Sequence, residues 1–130
     1  MKHTYLILLI MNLFCSQIVF SKNYMIYSMA QDIPMGDGSK QKKNYYINIG
    51  LQQGVKIGTE LKVYRLLNRT NPYSTEKNVT FKVEVGELKV VHAEEENSIA
   101  ELSKLKTDSS IFVEIPSLNI GDQVGVKTSN

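Results

Sequence analysis

The chain has 130 residues, 42% of them hydrophobic and 22% charged, with a formal net charge of +2. That length holds one domain, with or without a leader, and excludes two large ones. The composition excludes a disordered tail and a multi-span membrane protein, and the near-neutral balance gives no reason to expect nucleic acid, which needs a strongly basic face.

Lys2 and His3 open the chain with a short basic tip. Residues 5–15 (YLILLIMNLFC) are apolar apart from Asn12, and Val19 and Ser21 stand at −3 and −1 of a cleavage point before Lys22. This pattern predicts a signal peptide over residues 1–21. The apolar run is shorter than the roughly 20 residues of a membrane span, so no stable span is expected once the leader is cut. Retention as an uncleaved anchor is the rival reading. Cys15 is the only cysteine and leaves with the leader. Lipid attachment there is disfavoured, because Asn12-Leu13-Phe14 puts no small residue before it. The exported chain therefore has no disulfide and no thiol chemistry, and depends on its core alone.

After the leader, residues 22–30 (KNYMIYSMA) read as a strand. Residues 31–43 contain Pro34, Gly36 and Gly38 and read as a loop. Together they form an N-terminal segment, 22–43, ahead of the main domain at 44–130. Residues 45–49 (YYINI) are aromatic and β-branched and end at Gly50. Residues 51–58 (LQQGVKIG) hold two more glycines, which excludes a good helix. In 60–67 (ELKVYRLL), Leu61, Val63 and Arg65 share one face and Lys62 and Tyr64 the other.

The polar run 68–78, with Pro72, marks an exposed hairpin tip. Phe81, Val83 and Val85 alternate along the next strand, Gly86 interrupts it, and Leu88, Val90 and His92 resume. A glycine in mid-strand predicts a bulge or a bend. Residues 94–106 admit two readings. Ile99, Leu102 and Leu105 fall three apart, and Ser98 with Glu101 matches a capping box, as in a helix. A strand over 98–102 with Ala100 inward is preferred, because the pattern around it is all strand. Ile111, Val113 and Ile115 alternate up to Pro116, and 123–127 is the last strand.

One segment echoes another. Val55-Lys-Ile57-Gly58-Thr-Glu-Leu61-Lys-Val63 repeats the offsets of Leu118-Asn-Ile120-Gly121-Asp-Gln-Val124-Gly-Val126. It predicts a loop that tucks an Ile into the core and turns on a Gly into a strand. We read it as a common turn used twice rather than a duplication. Six or seven short strands with glycine corners and little helix predict an all-β fold, a small antiparallel barrel or sandwich. Closing the sheet removes exposed edges.

No catalytic signature survives inspection. There is no Gly-x-Ser-x-Gly, no phosphate-binding loop and no cysteine nucleophile. His92 is followed by Glu94, Glu95 and Glu96, but a zinc site needs three or four placed ligands, and the Glu run reads better as a solvated turn. Nothing in the spacing pairs Glu87, Glu101 and Asp122 as acid and base. Asp122 reads as a turn residue whose carboxylate accepts nearby N–H groups. We therefore expect no catalytic residue, no metal and no cofactor. Tyr and Arg are the residues most often energetic at protein contacts. The candidate contact residues are accordingly Arg69 and Tyr73 at the polar tip, Lys42, Lys43 and Tyr45, and Arg65. One of Tyr45 and Tyr46 must face the core, since neighbours on a strand face opposite sides. Asn68-Arg-Thr70 and Asn78-Val-Thr80 match the glycosylation sequon, a match read as idle.

The stretch from Tyr45 to Arg65 carries Tyr-Ile-Asn48-Ile-Gly50, then Gly54-Val-Lys-Ile-Gly58, then a strand ending Val63-Tyr64. It resembles the C-terminal domain of flagellar assembly protein T and related bacterial envelope proteins. Val85-Gly86-Glu-Leu88-Lys-Val90, Ser98-Ile-Ala100-Glu-Leu102 and Ile120-Gly121-Asp122-Gln-Val124 resemble that module's later strands. The resemblance runs from Tyr45 to Val126 and rests on glycines and core aliphatics. It implies an SH3-like β-barrel in the periplasm with a non-enzymatic role. The expected partner is another envelope protein, the cell wall or the flagellar basal body. A barrel binding a small ligand of glycan type is the alternative. No functional residue carries over.

Overall fold

The computed structural model describes residues 22–33, 36, 38, 41–75, 77–106 and 117–128. The leader with Cys15, Lys40 and the alternating run 111–115 lie outside the described residues. Six strands form: β1 (Ile26–Gln31), β2 (Lys43–Ile47), β3 (Glu60–Thr70), β4 (Asn78–Ala93), β5 (Ser98–Leu105) and β6 (Gln123–Val126). They make one antiparallel sheet in the order β1-β2-β5-β4-β3-β6. The fold is all-β, as expected.

The two outer strands meet. Met25 bridges Gln123. The Ile26 N–H donates to the Asp122 carbonyl at 3.0 Å, Gly121 N–H to Ile26 at 2.8 Å and Val124 N–H to Tyr24 at 2.8 Å. Asn48 supports this closure, its Oδ1 accepting from the Met25 N–H at 2.7 Å. The sheet thus curls into a small barrel, which satisfies backbone groups that an open edge would expose. Inside it, Ile26, Ile47, Leu61, Val63, Leu88 and Leu118 are fully buried. Each such side chain stabilises by about 1.5–3 kcal/mol.

The strand reading of 94–106 holds. Ala100 is buried, pairing Tyr45 on one side and Val90 on the other, and β5 continues to Leu105. Gly86 marks a bulge, also as expected. Val63 faces Gly86 and Tyr64 faces Glu84, leaving Val85 as the extra residue. The inward positions therefore change phase, from Val85 to Leu88 and Val90. A Cβ at Gly86 would lie 2.6 Å from the Lys104 carbonyl oxygen and 3.2 Å from Leu118 Cδ2, so only glycine lets β4 pass there.

Two expectations are corrected. His92 does not continue the inward row of Leu88 and Val90. A further irregularity, between Val90 and His92, leaves Val91 unpaired in the β4–β5 ladder and turns His92 outward. The echoed segments are matching turns, but their Ile residues are not tucked in. Val55 and Leu118 are buried, whereas Ile57 and Ile120 are exposed. In each turn the N–H of the fourth residue bonds the carbonyl of the first, Thr59 to Lys56 at 3.0 Å and Asp122 to Asn119 at 3.2 Å. The third residue is Gly58 or Gly121, with φ of 89° or 94°. That is a type II turn, whose second residue stands at the outer corner. The fourth side chain reaches back in both: Thr59 Oγ1 accepts from Lys56 N at 3.0 Å, and Asp122 Oδ2 from Asn119 N at 2.8 Å. Asp122 holds its turn as the sequence suggested.

Candidate contact surface

Among the described residues, β3 and β4 outrun their neighbours. The last β3 residue paired with β6 is Tyr64, and the first β4 residue paired with β5 is Gly86. Among the described residues, β3 and β4 beyond those points pair only with each other, from Arg65↔Val83 to Thr70↔Asn78. This two-stranded arm ends in a turn narrower than the predicted 68–78. Arg69 is in strand, not at the turn.

Period two gives the arm unlike faces. On one, Leu67 opposes Phe81 and Arg69 opposes Val79. Leu67, Arg69, Phe81 and Val83 line a recess of about 480 Å³. The other face sets Leu66 among polar side chains. Lys82 Nζ lies 4.4 Å from the Tyr64 ring centroid, a cation–π contact. Thr80 Oγ1 donates to Asn68 Oδ1 at 2.8 Å and Thr70 Oγ1 to Asn78 Oδ1 at 3.3 Å. The two sequons thus face each other across the arm, each asparagine held by the other's threonine. At the turn, Tyr73 is 97% exposed, and its N–H donates to Asn71 Oδ1 at 3.0 Å.

Arg65 stands where the arm leaves the barrel. Its Nε donates to Asp122 Oδ1 at 2.9 Å and its Nη2 to Asp122 Oδ2 at 2.8 Å and the Ser117 carbonyl at 3.1 Å. Both side chains are largely buried, 15% and 4% exposed. The hydrogen bond to Asp122 pushes the guanidinium pKa above its usual value. Arg65 is thereby engaged inside the molecule, locking the 117–122 loop to β3.

Lys42, Lys43 and Tyr45 come together elsewhere. With Gln41, Glu101 and Leu102 they line a recess of about 390 Å³. Tyr45 is the inward member of the tyrosine pair, 2% exposed, and burial pushes its phenol pKa up. Lys43 Nζ lies 5.6 Å from its ring centroid. Ser117, the acceptor of Arg65, lines the same recess. The six predicted residues therefore divide into an arm pair (Arg69, Tyr73), a mouth group (Lys42, Lys43, Tyr45) and the internal clamp Arg65. Leu67 and Phe81, which give the arm its apolar face, were not among them. Their alternation was visible, but not that it ran past the barrel.

Among the described residues no group of three or more His, Cys, Asp or Glu is placed to hold a metal, and no helix is long and apolar enough to cross a membrane. Among the described residues Lys127 is displaced too, its pKa raised by hydrogen bonds to Glu87 and Glu60.

Residues 42–114 match the family described as flagellar assembly protein T, C-terminal domain. The match covers more than half of the chain and contains β2, β3, β4 and β5. No curated protein matches the chain.

Proposed function

We infer the role of this chain from one premise: it belongs to the family of the flagellar assembly protein T C-terminal domain. We propose that it is a non-enzymatic contact module of the bacterial envelope, exported to the periplasm, which holds another envelope or basal-body component through the β3–β4 arm. The observation that carries this reading is the arm itself. It places an apolar strip, Arg69 and the fully solvated Tyr73 beyond the barrel, where a partner reaches them. Aromatic and Arg side chains dominate the energetics of such contacts. The alternative of a ligand held inside the barrel finds little support, because Ile26, Leu61, Val63, Leu88 and Leu118 fill that space.

The test is capture of partners from envelope extract. Replacing Arg69 and Tyr73 together by Ala should weaken capture by about thirtyfold, the loss of one strong contact residue. Both residues are exposed, so thermal unfolding should be unchanged. Undiminished capture would remove the arm from the mechanism.

A further inference from the structure

We propose that the outer wall of the barrel carries a carbohydrate-binding shelf, built on Tyr27 and Tyr46 and edged by His92, Glu94 and Asn97. These side chains, with Ile99, line a recess of about 290 Å³. It lies on β1, β2, β5 and the end of β4 opposite the arm, and is independent of the role proposed above.

The shelf exists because regular pairing fails twice. Between Ile26 and Ser28 the β1–β2 register shifts, leaving Tyr27 without a partner. Between Val90 and His92 the β4–β5 register shifts, leaving Val91 without one. Strict alternation would send His92 inward with Val90; the shift sends it out. Bulges re-aim side chains in this way, and they concentrate beside functional sites. The result is a row across neighbouring strands: Tyr46 pairs Ile99, and Ile99 pairs His92.

The chemistry suits a pyranose. The Tyr27 and Tyr46 ring centroids lie 6.5 Å apart with planes at 51°, an open wedge onto which the C–H face of a sugar packs. Tyr rings offer large apolar contact with a polar tip. At the edge, His92 Nε2 and Glu94 Oε1 are 2.8 Å apart, and both side chains stay more than half exposed. Imidazole, carboxylate and amide together offer donors and acceptors, as sugar hydroxyls require. A small cation fits less well, because Glu94 already has His92 as its partner. An anion would meet Glu94, Glu95 and Glu96 in one turn. The recess is at the small end for ligand sites, which suits one unit of an oligosaccharide whose neighbours lie in solvent.

Chitotetraose, cellotetraose and maltotetraose are the probes, titrated into the purified protein. Binding is followed by tyrosine emission, which no tryptophan masks, and by amide chemical shifts. At least one sugar should saturate, with shifts centred on Tyr27, Tyr46, His92, Asn97 and Ile99. Tyr46→Ala and Tyr27→Ala should each weaken binding about tenfold, the loss of one good ring contact. His92→Ala should weaken it several-fold. Tyr27 occupies an exposed bulge, so its variant keeps the test valid if Tyr46→Ala does not fold. The proposal fails if none of the sugars saturates, if the shifts centre elsewhere, or if folded Tyr27→Ala and His92→Ala bind as the parent does.

Discussion

Asp122 does three jobs with one carboxyl group and its backbone. It receives Arg65 bidentately, accepts the Asn119 N–H, and offers its carbonyl to Ile26 on β1. Removing the carboxylate leaves a largely buried guanidinium without its charged partner, with neutral acceptors such as the Ser117 carbonyl in its place. Breaking a buried pair from one side is far more harmful than never having built it. Asp122→Ala should therefore destabilise by about 3 kcal/mol, read as a lower midpoint in urea unfolding. An isolated loss of the turn bond would be worth only about 1 kcal/mol, so the size of the drop separates the two roles. The turn role was legible, because Asp after Ile-Gly is a common turn ending. The Arg65 partnership was not: the two residues are 57 apart in sequence, and nothing local links them.

At the scale of strands, what was legible followed from period two. Leu61, Val63 and Ala100 announced their inward faces, and the structure buries them; one of Tyr45 and Tyr46 had to face the core, and it is Tyr45. Where that reasoning failed, a partner strand had intervened. His92 fits the inward row until the pairing with β5 slips. Phe81 and Val83 alternate as core residues do, yet β5 ends before reaching them, among the described residues. Ile57 and Ile120 were misplaced for a different reason: the glycine after each sets the turn type, and the turn type sends the Ile outward.

Gly86 is the best place to test the β4 kink. Its absent side chain makes room for the Lys104 carbonyl, a backbone atom that cannot swing aside. Gly86→Ala should destabilise by about 2–3 kcal/mol through forced displacement. Gly54 gives the contrast. Nothing lies within 4 Å of a Cβ there, and only its φ of 81° resists substitution. Gly54→Ala should lose about 1 kcal/mol. Chemical denaturation of both variants checks the order. Equal losses would mean that β4 can bend around a methyl group.

For the molecule as a whole, two levels of description disagree about extent. The family match stops at residue 114 and begins at 42, so neither β1 nor β6 falls within it. Those strands form the seam of the barrel and supply Ile26 and Val124 to its interior. A piece trimmed to 42–114 should melt without a sharp transition and self-associate in light scattering, whereas one spanning 22–128 should melt cooperatively. Unpaired strand margins invite such association. The family's recognisable signature is thus a cask lacking two staves. Whatever diversity its members show in those flanking staves bears directly on whether each can stand alone or must borrow a strand from a neighbour.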